Sequence, residues 1–125
     1  MMPFKIAINS EIGLIDLVFW GQLNMDELGS FRKEMTSHPD FNPGFRVLAD
    51  IRKIEGVDIP NTNLEGFARE GPLLGNAVTA IVVATNFAFG MARRYMLQQG
   101  RDNPEINKIF WDIDEARLWI EQGLR

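Results

Sequence analysis

Cysteine is absent from the chain, histidine occurs once, at His38, and serine occurs only at Ser10, Ser30 and Ser37. Without a thiol there are no disulfides, thiolate metal sites or thiol nucleophiles. A single imidazole leaves a conventional zinc or iron site short of ligands. None of the serines lies in a Gly-x-Ser-x-Gly elbow, and Ser37 beside His38 is a neighbour in sequence without triad meaning. A Gly-x-Gly-x-x-Gly run after a strand and a Gly-x-x-x-x-Gly-Lys-Ser/Thr loop are both missing, so neither common phosphate cradle is present. No stretch approaches the ~18 unbroken apolar residues of a spanning helix. The start, Met1-Met2-Pro3-Phe4-Lys5, has no basic region followed by a long apolar run. These features lead us to expect a cytoplasmic protein with no integral membrane segment.

Basic residues are also in short supply. Thirteen Lys and Arg against 17 Asp and Glu leave a net charge of −4, whose long-range field opposes non-specific nucleic-acid binding. The densest basic group, Arg93-Arg94 with Arg101, reads as a solvated helix face. No catalytic constellation is legible, so the expectation is a non-enzymatic protein that needs no cofactor.

What the chain does have is length and apolar content for one domain, with 125 residues of which 46% are hydrophobic. Phe4, Ile6 and Ile8 alternate with Lys5, Ala7 and Asn9, the period of a half-buried edge strand. Asn9 to Gly13 offers turn chemistry, and Leu14 to Trp20 is apolar except for Asp16, an interior strand closed by Gly21. Met25, Leu28, Phe31 and Met35 then fall on one helix face, with Asn24 and Glu27 spaced as a capping box and His38-Pro39 as the stop. After the turn Phe41-Asn42-Pro43-Gly44, a third strand runs from Phe45 to about Arg52. A short helix is expected from Asn61 to about Glu70, broken by Gly71-Pro72. Val78 to Ala84 is apolar on both faces, as in a central strand.

Asn86 is placed to cap the next helix, in which Ala88, Met91, Ala92, Tyr95 and Met96 share a face, and Gly100 stops it. Ile106 to Trp111 suggests a last short strand. Asp112 and Glu115 repeat the capping-box spacing before a helix to about Gln122, with Gly123 at its C-terminal cap. The fold class is therefore α/β, in the order β-β-α-β-α-β-α-β-α, with an antiparallel N-terminal hairpin and an otherwise parallel sheet of sequential strand order. Helices should lie mainly on one face. The other face is mixed and needs a cover or a partner, which makes a homodimer through it an expectation.

Parallel α/β sheets bind ligands beyond the carboxyl ends of their strands. Those ends should carry Trp20, Asp50, Arg52, Thr85, Asn86 and Trp111. Asn86 would offer the free N–H groups of a helix start to an anion, and Arg93, two turns into that helix, could reach the same region only by folding back. Beside this reading stands a plainer one, in which Asp50 pairs with Arg52 or Arg93, Trp20 and Trp111 plug the core, and Asp58 is a turn or helix-start residue. The carboxylate pairs Asp50 with Asp58 and Asp112 with Asp114 could serve acid–base chemistry, although capping explains the second pair better. The candidate binding residues are thus Asp50, Arg52, Asp58, Thr85, Asn86, Arg93 and Trp111, for an unknown protein partner or a small apolar or anionic ligand.

The segment Val47-Leu48-Ala49-Asp50-Ile51-Arg52, followed by Gly56-Val57-Asp58, resembles the strand–loop of the STAS domain, the anti-sigma-factor antagonist fold. Almost the whole chain fits its β-α order. The chain is also similar to uncharacterised bacterial proteins of STAS-like or CRAL-TRIO-like type, in which a helix resembling Phe89-Gly90-Met91-Ala92-Arg93 follows the fourth strand. The resemblance implies a non-enzymatic module that binds a protein, a nucleotide or a lipid. In the regulatory antagonists an Asp-Ser pair opens the helix after the third strand, and a kinase phosphorylates the serine. Here Asp58 stands at the aspartate, but Ile59 and Pro60 follow and the next hydroxyl is Thr62. Isoleucine cannot accept phosphate, so the switch is not expected.

Overall fold

A computed structural model describes residues 3–58, 78–98 and 106–122. Strand β1 (Phe4–Asn9) pairs antiparallel with β2 (Leu14–Asn24), Phe4 opposite Phe19 and Asn9 opposite Leu14. Asn9 shapes the turn between them, its side-chain oxygen accepting the N–H of Glu11 at 3.1 Å while its carbonyl accepts that of Gly13 at 2.9 Å. Helix α1 (Met25–Ser37) follows, capped by Asn24, whose Oδ1 accepts the N–H of Glu27 at 2.9 Å. It ends where expected, because His38 has the extended backbone that a residue before proline adopts.

Strand β3 (Arg46–Asp58) runs parallel to β2, and β4 (Thr79–Val82) and β5 (Asn107–Phe110) extend the sheet in the order β1-β2-β3-β4-β5. Helix α2 (Asn86–Gln98) lies between β4 and β5, and α3 (Ile113–Gln122) closes the described chain. This is the mixed sheet of sequential order read from the sequence. The helix expected over 61–70, its Gly71-Pro72 break, and the stops at Gly100 and Gly123 fall outside the described residues.

Two apolar layers sandwich the sheet. On one side, β1 contributes Phe4, β2 contributes Ile15, Leu17 and Phe19, and β3 contributes Val47, Ala49 and Ile51; all are buried against Leu28, Phe31 and Met35 of α1 and Ala88, Ala92 and Met96 of α2. Phe4, Phe19 and Phe31 form an edge-packed cluster, with Phe31 centred 4.8 Å from Phe19 and 5.5 Å from Phe4. On the other side Leu14, Leu48, Ala80, Val82 and Phe110 meet Ala116 and Ile120 of α3.

The sequence-based expectation about this second face therefore needs correction. It has a cover of its own in α3, so the apolar outer side of β4 gives no reason for a homodimer through it. Periodicity marked α3 as amphipathic without revealing which side of the sheet it crosses to. A second correction concerns length, since β2 continues past Gly21 to Asn24 and β3 past Arg52 to Asp58. Beyond Val82 and Phe110 these two strands keep pairing with each other, and Leu23, Ile54 and Val57 carry the first core outward along them.

Candidate functional site

The carboxyl ends of the parallel strands hold most of the sequence-predicted residues, arranged in two groups. One row crosses the sheet from Val18 through Asp50 and Val82 to Phe110. Asp50 is the polar member of that row and lies on the α3 side. Arg52, two residues on, shares its face. The Arg52 Nε and Nη2 groups donate to the Asp50 carboxylate at 2.9 and 2.8 Å, and the Arg52 backbone N–H donates at 3.1 Å. Burial pushes the Asp50 carboxyl up, but hydrogen bonds from the Arg52 side chain and backbone, with the charges of Arg52 and Lys53, outweigh it and hold the group below its ordinary range. The hydrogen bond that Arg52 donates to Asp50 raises the guanidinium in turn against the opposing effect of burial, and the charges of Asp50, Asp112 and Asp114 add to this. The plainer expectation for this pair, mutual neutralisation, is what the geometry shows.

Beside it the strands are irregular. Val18 faces Asp50, but Trp20 faces Lys53, so β3 carries an additional residue, and a second shift lies between Gly21 and Gln22. Such a bulge re-aims side chains. Ile51 and Ile54 both turn into the core, while the intervening Arg52 and Lys53 both stay exposed. Gly21 adopts φ +71°, a left-handed conformation that suits glycine. The result is an open cleft of about 470 Å³ lined by Trp20, Gly21, Arg52, Lys53, Ile54 and Glu55. Except for Arg52 and Trp20, these residues were missed in the sequence. The signal that could have found them is the three-residue spacing of Ile51 and Ile54, which breaks the period of a regular strand.

The second group stands at the start of α2. Its cap is Thr85 and not Asn86, because the Thr85 hydroxyl accepts the N–H of Ala88 at 3.1 Å and its carbonyl accepts that of Phe89 at 3.0 Å. The helix begins one residue earlier than the sequence suggested, which makes Asn86 its exposed first residue. Trp111 is no core plug. It is 53% exposed and stacks on Phe89 of α2, with centroids 5.7 Å apart and planes 13° from parallel. Trp20 is half-buried in the wall of the cleft.

Thr85, Asn86 and Trp111, which the sequence expected at the same crevice as Arg52, are not among the residues that line this cleft. Arg93 is exposed two turns along α2. Asp58 is neither turn nor helix start but the last residue of β3, opposite Asn24. Its backbone stands roughly 25 Å along the strand from that of Asp50. Asp112 is the cap of α3, accepting the N–H groups of Asp114 at 2.7 Å and Glu115 at 3.1 Å. His38 accepts the N–H of Asp40 through Nδ1 at 3.1 Å, the local bond of a helix-end residue. Among the described residues no three His, Asp or Glu side chains gather as metal ligands would.

No family model and no curated protein matches the chain. Among solved structures it is similar to an uncharacterised protein of the DUF3478 family with a SpoIIAA-like fold from Shewanella loihica PV-4. The TM-score is 0.60 at 16% identity, over 96% of this chain and 95% of that one. The fold is thus SpoIIAA-like, in agreement with the STAS-like resemblance read from the sequence. No described helix is long and apolar enough to cross a membrane.

Proposed function

We propose that the protein is a non-enzymatic interaction module that engages a protein partner at the α2–β5 rim around Trp111. The observation that carries this reading is the exposed, stacked pair of Trp111 and Phe89. Trp111 sits between two anchored neighbours. The Phe110 carbonyl accepts the N–H of Val83 at 2.9 Å, and Asp112 caps α3. An indole held in place before binding loses little freedom when covered, and such aromatics are the usual anchors of protein interfaces. Phe87, equally exposed at 53%, adds apolar surface on the first turn of α2. The absence of a hydroxyl directly after Asp58 makes this module one whose binding is not switched by phosphorylation there. We place its work in the cytoplasm.

The test compares native protein with Trp111→Ala as bait for quantitative affinity capture, followed by binding measurements on the purified partner. The expected result is a partner whose affinity falls at least tenfold with Trp111→Ala while the melting temperature stays nearly unchanged. An affinity indifferent to Trp111 would remove this surface from the function.

A second reading, a carrier of a small ligand, is favoured by the cleft between Trp20 and Arg52. Its volume of about 470 Å³ falls within the ~300–1,000 Å³ of small-molecule sites. Native mass spectrometry of protein purified from its own cells would show such a ligand as a mass adduct.

A further inference from the structure

We infer that the cleft on the β2–β3 ribbon is a site for a small aromatic zwitterion, a molecule of the free aromatic amino acid type. This rests on the small-ligand reading and assigns its chemical class. The argument begins with charge. Arg52 and Asp50 neutralise one another through their paired hydrogen bonds, so neither adds a net charge to the cleft. That leaves Lys53 and Glu55 in the lining, one cation and one anion, and among the described residues neither forms an ion pair with another side chain. A purely anionic ligand would meet Glu55 as a repulsion, and a purely cationic one would meet Lys53. A ligand with a carboxylate and an ammonium group answers both.

The donors support the same orientation. Asp50 uses Nε and Nη2 of Arg52, which leaves Nη1 to join Lys53 in holding a carboxylate. The rest of the lining is apolar or bare: the half-buried Trp20, the largely buried Ile54 and the backbone at Gly21, where nothing lies within 4 Å of the position a Cβ would take. A flat ring fits against that wall better than a branched or highly charged body. The bulge produces the arrangement, since in a regular strand Arg52 and Lys53 would point to opposite faces.

The experiment is an amide-resonance titration of the full chain with L-phenylalanine, benzoate and phenethylamine, which share a ring and differ in charge. Saturable shifts at residues 20–21 and 52–55 with phenylalanine, and at least about tenfold weaker binding of benzoate and phenethylamine, are expected. Lys53→Met and Glu55→Gln should each weaken phenylalanine about tenfold with unchanged melting temperature. Benzoate or phenethylamine binding there as tightly as phenylalanine would overturn the zwitterion assignment while leaving the cleft as a ligand site. No saturable shift at these residues with any of the three up to tens of millimolar would overturn the zwitterion assignment together with the small-ligand reading.

Discussion

Arg117 on α3 places its Nη2 group 3.3 Å from Oδ1 of Asp16 on β2, linking residues that are 101 apart in sequence. The same guanidinium lies 3.7 Å from Glu121, one turn further along the helix. Arg117 is 44% exposed and Asp16 38%, so the pair contributes no more than ~1 kcal/mol. Its part is to orient α3 over the sheet face that the helix covers. The docking energy comes from Ala116 and Ile120, both wholly buried against Leu48, Val82 and Phe110.

Ile120→Ala should therefore lower stability by about 2–4 kcal/mol, whereas Asp16→Asn should cost less than ~1 kcal/mol. Urea denaturation of the two variants measures the difference. Equal losses would mean that charge, and not burial, holds α3 in place.

At the start of α2 the expected order is Thr85→Ala well below Asn86→Ala in stability. Removing the hydroxyl leaves the Ala88 N–H without its acceptor, at about 1 kcal/mol, while Asn86 is an exposed first-turn residue. Thermal unfolding of both variants checks this, and the reverse order would return the cap to Asn86.

Two glycines should respond with opposite signs. Gly21 has φ +71°, so Gly21→Ala is expected to cost about 1–2 kcal/mol from backbone strain. Gly29 lies inside α1 with nothing within 4 Å of an added Cβ, and Gly29→Ala should stabilise by about 0.5–1 kcal/mol. Denaturation midpoints of the two variants decide the signs.

Asp50 and Arg52 predict an acid dependence. The folded pKa of Asp50 is depressed, so the stability it contributes is present above its unfolded value of about 3.9 and is lost as pH falls through the lower folded value. Asp50→Asn should be less stable than the native protein at pH 7 by no more than ~1 kcal/mol, because Arg52 is 39% exposed and partly screened. The gap should close as the solution is taken from pH 5 to pH 2. Melting curves across that range test it, and a gap that widens on acidification would contradict the pairing.

Several site features were legible because they depend on neighbours in the chain. Asp50 and Arg52 share a strand face through the two-residue period alone, and Asp112 caps its helix through the spacing of the N–H groups that follow it. The cap at Thr85 was one residue off because Thr and Asn both accept such bonds, and only the observed helix start separates them. Trp111 was misplaced for a different reason. An indole is mostly apolar, and whether it is covered depends on what packs over it, which here is Phe89 on one face and solvent on the other side.

The sequence by itself determined the order of the described elements, the antiparallel opening hairpin, the core faces of α1 and α2 and the lack of any thiolate ligand, since periodicity, capping and composition are local or additive properties. Tertiary structure decided that α3 crosses to the second face, that β2 and β3 run on beyond the sheet, and that Arg52 and Lys53 emerge together at a cleft. Each of these depends on which surfaces exclude water from one another at long range, and on a strand register that two bulges shift by one residue at a time. No local pattern carries that information, because the same apolar stripe or strand can be buried from either side of a sheet.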